Sequence, residues 1–509
     1  MTASEQLAQF AAGSKALPKL CREYKKERAT VHLKELVGGA LSFYAAAAVA
    51  KTGGVHIFVA EDRDAAAYLL NDFYNLLDEK QVYFFPSSYK RSAAYGAEDA
   101  QGVVQRTTAM NAVRGFTKGY LVVCTYPEAL AERVVDAATL QRDTIAVKLG
   151  DKISIAVLED ALADANFTRV DFVYEPGQYS VRGGIVDVFS YSESKPYRID
   201  FFGDEVDSIR RFNISSQLSA DKLDRVEIVP NLNAGEAPRV SFVQFAGSSA
   251  TCWFYDADYV LRRVNDLRRK VLADMEEPGQ IDRLLTSRNV LLRDMAGNSV
   301  VALRDNLPER PATAAVVFDT APQPKFNKNF EMLADDMIRN SLRGYATYIL
   351  SENKVQVERL ENIFHQIGRG QAAVRSLSVT LHEGFVDNDL KLCLYTDHQI
   401  FDRYQRYRIN GEIRRDEQMT VAELNQLRPG DYVVHIDHGV GRFDGLVKIN
   451  ENGKVHEAIK LVYKDGDVLF VNVHSLHRIS RYKSGDGEPP KVYKLGNGAW
   501  QKLKNATKK

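Results

Sequence analysis

The chain has 509 residues, of which 45% are apolar and 26% charged, and its 67 basic residues balance 67 acidic ones. That length exceeds a single hydrophobic core and predicts roughly three to five domains, while the composition excludes a long disordered chain. The lack of a basic excess argues against nucleic acid as the main partner.

Targeting and redox signals are absent from the sequence. The most apolar stretch, residues 45–50, is far shorter than the ~20 residues that span a bilayer, and the first residues lack the pattern of a signal peptide. We therefore expect a cytoplasmic protein without membrane contact. The four cysteines form no CxxC pair, which predicts free buried thiols and neither a zinc site nor a disulfide framework: Cys21, Cys124, Cys252 and Cys393.

Residues 1–143 alternate β-rich runs with helical stretches, which is typical of βαβ units on a parallel sheet. Near the start of this segment a glycine turn at 36–40 leads directly into a helix at 41–51, the frame of a phosphate-binding loop. A working loop also needs Lys-Ser or Lys-Thr after its glycines. Neither follows Gly38 and Gly39, and Ser42 alone is no magnesium ligand, so we predict a degenerate P-loop-type α/β domain without a bound cofactor.

Residues 144–219 change to one helix and four strand-like runs, which predicts an inserted antiparallel α+β domain. Residues 220–324 return to α/β character as the second part of the first domain. A small α/β domain at 325–402 and a linker at 403–426 follow.

The run 196–205 within the α+β domain has a charged face. Side chains alternate along a strand, which places one set inward and the other toward solvent: Tyr197, Ile199 and Phe201 against Arg198, Asp200 and Phe202. Arg182 would add a second guanidinium nearby. An exposed Phe beside Arg is enriched at interface hot spots, although a solvated sheet face with one stray Phe is an open alternative.

Residues 427–509 contain short strands, glycine turns and an Asp-Gly hairpin signal at 464–467, which predicts an SH3- or Tudor-like β-barrel. The run 457–463 could pair as an edge strand with a partner, with Ile459 and Lys460 at that edge; an inward-facing Ile459 is the alternative. Two histidine pairs, His435 with His438 and His474 with His477, are three residues apart, which would put the members of each pair on opposite faces of a strand, so we predict no metal site.

Several motifs resemble the transcription-repair coupling factor family. Its polymerase-interacting domain is similar to Gly430–Phe443, which includes Arg442, and to Ser475–Tyr482, Lys494–Gly496 and Trp500. The UvrA-binding domain of UvrB and of the coupling factors resembles Tyr179–Phe189 and Tyr197–Val206. The turn and helix at 36–51 resemble the degenerate nucleotide-binding domain of the family's UvrB-like module.

This resemblance implies a non-catalytic adaptor. UvrA would bind through Arg182, Arg198 and Phe202, and the RNA polymerase β subunit through Arg442, Ile459 and Lys460. DNA, ATP and Mg would belong to the full-length family member, whose translocase motor domains have no counterpart before Lys509, so we expect a fragment or separated module.

Two alternatives remain open at the level of sequence. One is an ATP-dependent, UvrB-like damage-recognition helicase, which the missing Lys-Thr after Gly39 disfavours. The other is a CarD-like polymerase-binding regulator, in which Arg182 and Arg198 would be incidental.

Overall fold

The computed structural model describes residues 2–89, 99–214, 217–233, 237–275, 278–307, 309–403, 405, 407–409, 427–435, 438–451, 454–472 and 479–481. The chain divides into two compact units, residues 1–412 and 413–509. Most of the expected linker and the motif residues 475–478, 482, 494–496 and 500 lie outside the described ranges.

The first 143 residues form the elements α1 (Ala3–Ala12), α2 (Ala16–Tyr24), β1 (Thr30–Lys34), α3 (Ala40–Thr52), β2 (Gly54–Val59), α4 (Arg63–Leu76), β3 (Val82–Phe84), α5 (Ala100–Arg114), β4 (Tyr120–Thr125), α6 (Pro127–Ala131), β5 (Val134–Val135) and α7 (Ala137–Arg142). Helix α4 begins where Asp62 accepts a hydrogen bond from the Ala65 amide at 2.8 Å, a standard N-cap. Its buried residues Ala66, Leu70 and Phe73 recur at helical spacing and face the sheet.

The next segment forms β6 (Ile145–Lys148), α8 (Ile155–Asp164), β7 (Thr168–Arg169), β8 (Gln178–Arg182), β9 (Ile185–Val188), β10 (Tyr197–Phe202), β11 (Glu205–Phe212), β12 (Ser219–Leu223) and β13 (Arg225–Ile228). A six-stranded sheet has the order β12-β11-β10-β9-β8-β7, and β13 pairs with β6. The expected end of this domain at residue 219 was too early, because β12 belongs to the sheet and β13 closes against the first strand of the segment.

The chain then forms β14 (Arg239–Val240), α9 (Phe242–Ala246), β15 (Thr251–Phe254), α10 (Ala257–Asp274), α11 (Ile281–Leu284), α12 (Arg288–Asp294), β16 (Ser299–Ala302) and β17 (Ala314–Val317). Three of these strands join the first segment in a seven-stranded parallel sheet of order β17-β1-β16-β15-β2-β4-β3. One parallel sheet is thus built from both sides of the α+β domain, which is inserted as expected. All four cysteines are buried and free.

Residues 320–400 form β18 (Thr320–Pro322), α13 (Phe330–Leu342), β19 (Ala346–Leu350), α14 (Lys354–Gln366), β20 (Ser376–Leu377), β21 (Phe385–Asp387), β22 (Leu392–Thr396) and α15 (Asp397–Ile400). Their mixed sheet has the order β18-β21-β22-β19-β20. It begins five residues before the expected boundary at 325, because Thr320 already pairs with Asp387.

The second unit contains β23 (Tyr432–His435), β24 (Gly439–Glu451), β25 (Lys454–Val462), β26 (Val468–Asn472) and β27 (Ile479–Arg481). These strands form an antiparallel sheet of order β26-β25-β24-β23-β27. Among the described residues the end strands β26 and β27 do not pair, so an SH3- or Tudor-like barrel remains a prediction.

Candidate functional site

The two predicted arginines meet on one buried carboxylate. Asp187 on β9 lies directly opposite Arg198 on β10 and has no exposed surface. The guanidinium of Arg198 donates from Nε to Oδ1 at 2.7 Å and from Nη2 to Oδ2 at 2.8 Å. Arg182 at the end of β8 donates from Nη2 to the same Oδ2. A desolvated carboxylate with two charge-assisted partners therefore fixes both guanidinium groups.

Each arginine also lies over an aromatic ring, Arg182 over Phe172 and Arg198 over Phe212, both 4.6 Å from the centroid. Arg198 has little surface left for a partner: its side chain is 15% exposed, against 34% for Arg182. Hydrogen bonding to Asp187 raises the pKa of Arg198. Arg198 therefore lies on the predicted face, opposite Tyr197 and Ile199, but it is mostly covered there, because it pairs with the buried Asp187 and packs on Phe212.

Phe202 lies at the end of β10, four residues or ~13 Å along the strand from Arg198, and is 84% exposed. It pairs with Glu205 across the hairpin turn at Gly203, whose φ is +63°. The predicted alternation is confirmed: Tyr197 and Ile199 are buried, and Phe201 packs against the same core. The domain thus presents a large exposed ring at one end of β10 and the paired arginines farther along the same sheet.

The prediction that residues 457–463 form an edge strand was wrong. Residues 458–462 of β25 pair with β24 on one side and with β26 on the other, so both sets of main-chain hydrogen-bonding groups are occupied. Ile459 is 1% exposed and belongs to the core, together with Leu461 and Tyr463. A strand-pairing contact through this run would require the sheet to open.

The other two residues predicted to bind polymerase remain accessible. Lys460 points away from the core and is paired with Asp444 at 2.8 Å, and Arg442 is exposed on β24. Beside them, β26 is the end strand of the sheet as far as the described residues show. Its Phe470 is 49% exposed opposite Lys460, and Val468 is exposed opposite Val462. Sequence reasoning placed a strand here but missed its edge position.

The glycine turn before α3 is covered by a distant part of the chain. A Cβ atom at Gly39 would lie 2.1 Å from the carbonyl oxygen of Glu383, and Gly38 adopts φ +56° against Gly384. Strand β1, the turn and helix α3 follow one another as expected, and the backbone at Glu383 and Gly384 packs against the turn.

Ser42, the remaining hydroxyl of this turn, is turned inward. It donates to Oδ2 of Asp72 on α4 at 2.7 Å, while the amide of His382 donates to Oδ1 at 2.7 Å. Burial raises the pKa of Asp72 to about 7, against the lowering effect of these two hydrogen bonds. These groups join α3, α4 and the 380s segment into one internal network.

The described histidine pair of the second unit, His435 and His438, forms a ring contact. The rings of His435 and His438 lie 4.8 Å apart, contrary to the expected opposite faces, because His438 follows β23 in the turn. Within the described ranges no group of three or more His, Cys, Asp or Glu residues could hold a metal ion. His474 and His477 lie outside those ranges. No helix in the described part of the chain is both long and apolar enough to cross a membrane.

Comparison with known proteins gives family matches for the inserted domain and for the second unit. A UvrB interaction domain model matches residues 145–233, and a CarD-like/TRCF RID domain model matches residues 427–483. The chain is 24% identical to the transcription-repair-coupling factors of Bacillus subtilis (strain 168) and Escherichia coli (strain K12), in each case over 93% of this chain and 47% of the relative. The factor of Staphylococcus haemolyticus is also 24% identical, over 86% of this chain and 44% of its own length.

The chain therefore spans about half the length of the relatives it matches. Both domain matches fall on units that the structure delimits by strand pairing, the first on 145–228 and the second on the five-stranded sheet. The chain is thus similar to the transcription-repair-coupling factors over nearly its whole length, and it contains matches to a UvrB interaction domain and to a CarD-like/TRCF RID domain.

Proposed function

We propose that this chain is a cytoplasmic, non-catalytic adaptor that binds UvrA through the inserted domain and the RNA polymerase β subunit through the second unit. The observation that carries the proposal is the occurrence of both domain matches in one chain whose similarity to coupling factors extends over nearly its whole length. Contact with DNA would require the parts of the relatives that this chain does not cover.

The proposed UvrA contact consists of Phe202 and Arg182, supported from behind by Arg198 and Asp187. A large exposed ring beside a third-exposed guanidinium supports this assignment, because Arg and aromatic side chains dominate interface hot spots. Burial of a flat ring removes more apolar surface from water than any other contact this face offers.

The proposed polymerase contact is the edge of β26 with the side chains beside it. A free strand edge can extend a sheet of the partner by main-chain hydrogen bonds. Phe470 and Val468 would supply apolar contacts, and Lys460 and Arg442 would meet acidic groups. Ile459 would then contribute to binding only indirectly, because its packing in the core holds β25 against β24.

The proposed absence of nucleotide chemistry rests on two observations. No lysine follows the glycine turn, and the carbonyl of Glu383 packs against Gly39. Both would have to change before a triphosphate could lie on the start of α3.

The experiment measures both interactions on the same immobilised chain by biolayer interferometry, with purified UvrA and purified RNA polymerase applied separately. We expect both to bind. Phe202→Ala should weaken UvrA binding by at least about fivefold, in the range of ~1–4 kcal/mol for a truncated hot spot, and leave polymerase binding unchanged.

The polymerase measurement is the internal control for folding of this variant. Loss of both interactions in Phe202→Ala would mean that the ring supports the fold. Failure of the unaltered chain to bind either protein would refute the corresponding half of the proposal.

A further inference from the structure

The turn between β11 and β12 is held by Arg198. Nη1 of this arginine donates to the carbonyl oxygen of Gln217 at 3.2 Å. The turn is tight: the Gln217 amide donates to the Asn213 carbonyl at 2.7 Å, and Gln217 has φ +57°. Three hydrogen bonds of Arg198 thus go to groups of its own domain, two to Asp187 and one to this turn.

Leu218 follows Gln217 directly and is 70% exposed. Its carbonyl accepts a hydrogen bond from the Asn213 amide at 3.0 Å, so its backbone is fixed while its side chain faces solvent. Phe202 and Leu218 are the two most exposed large apolar side chains described in the inserted domain.

These two side chains lie at opposite ends of the same sheet. Phe202 is at the hairpin end of β10 and β11, whereas Leu218 precedes Ser219, which pairs with Phe212 beyond the other end of β10. About six residues of strand separate the two ends, or ~20 Å. That separation fits within one standard interface of ~800 Å² per partner.

Basic side chains occupy the space between the ends. One row of the sheet runs Asp187, Arg198, Arg210 and Lys222 across four neighbouring strands. Arg182 joins the carboxylate of Asp187, and Asp200 pairs with Arg210, so four cations face two anions. The surface therefore has an apolar residue at each end of a basic centre. Its complement is an acidic surface with an apolar contact on either side.

We infer that Leu218 is a second apolar contact for the UvrA surface that Phe202 contacts, and that Arg198 is a positioning residue that sets Leu218 by holding Gln217. The inference rests on the proposed function, since it extends the same binding face. It assigns direct contact to Phe202, Arg182 and Leu218, and indirect action to Arg198.

The first test compares two exposed leucines in the full chain. Leu218→Ala should weaken binding of purified UvrA about tenfold without a change in melting temperature. Leu342→Ala removes an 85% exposed leucine on α13 and should leave binding unchanged. If the unaltered chain binds UvrA and responds to Phe202→Ala but not to Leu218→Ala, the inference fails while the proposed function stands.

The second test uses Arg198→Lys, which keeps the charge and loses the planar fork that reaches both Asp187 and Gln217. Affinity for UvrA should fall, and hydrogen exchange at the amides of 217–219 should accelerate. In a Leu218→Ala background the same change should cost several-fold less than in the unaltered chain. Equal losses in both backgrounds would show that Arg198 does not act through Leu218 and would overturn this positioning role. No binding by the unaltered chain would refute the proposed function and this inference with it.

Discussion

At the scale of single residues, the inserted domain depends on a carboxylate that has no contact with solvent. Asp187 accepts hydrogen bonds from two guanidinium groups, and removal of either one leaves part of its charge uncompensated in a region of low dielectric. Arg198, which contributes positive charge to this face, therefore also stabilises the sheet.

Arg198→Ala should destabilise the chain by about 3 kcal/mol, because the buried charge of Asp187 keeps only Arg182 as a partner. Phe202→Ala should change the free energy of unfolding by less than ~0.5 kcal/mol, since its ring is exposed. Urea unfolding of the two variants beside the unaltered chain measures both values. Equal stability of all three proteins would show that the Arg198 pair contributes nothing to folding.

At the scale of elements, neighbouring strands of the second unit have different roles. Strand β25 is central and carries the core residues Ile459 and Leu461, whereas β26 is the end strand among the described residues, with Phe470 exposed. A substitution on either strand can abolish binding, but for opposite reasons.

Phe470→Asp should reduce polymerase binding at least tenfold with unchanged melting, because it replaces an exposed apolar contact by a charge that repels an acidic partner. Ile459→Arg should lower or abolish the melting transition of the second unit, because it buries an unpaired charge. Circular dichroism melts together with polymerase binding distinguish the two effects. Unimpaired binding by Phe470→Asp would exclude the β26 edge from the interface.

The periodicity of the sequence predicted those features that depend only on neighbouring residues along the chain, such as the alternation of side chains on β10. The alternation of Tyr197, Ile199 and Phe201 against Phe202 was visible in the sequence, because a strand has a period of two. The burial of the Arg198 side chain could not be predicted from the sequence, because it depends on the strand register that places Asp187 opposite it. Likewise, the sequence alone does not show which of Ile459 and Lys460 faces the core, or that β25 has a neighbouring strand on both sides.

At the scale of the whole molecule, contacts between distant segments decide what the sequence leaves open. Glu383 covers the turn at Gly39 although more than 300 residues separate them. No pattern in either segment indicates that contact. The seven-stranded sheet is a similar case, since its strands come from both sides of the inserted domain.

Titration of the chain with Mg-ATP in an isothermal calorimeter should give no heat beyond dilution at millimolar nucleotide. The phosphate-binding lysine and hydroxyl are missing, and the turn is covered. ADP titrated in parallel is the matched control, because the two nucleotides differ only in the γ-phosphate. A micromolar dissociation constant for ATP would contradict the assignment.

The pairing of β6 with β13 has a consequence for how such a chain is inherited. Ile145 lies opposite Ile228, so the inserted domain enters and leaves the parent sheet at neighbouring points, ~5 Å apart. A domain whose ends are adjacent can be lost, duplicated or inserted into an unrelated protein without displacing the strands that flank it. The proposed binding of UvrA would thereby be inherited as a unit, and another protein could acquire it by a single recombination event at these adjacent ends.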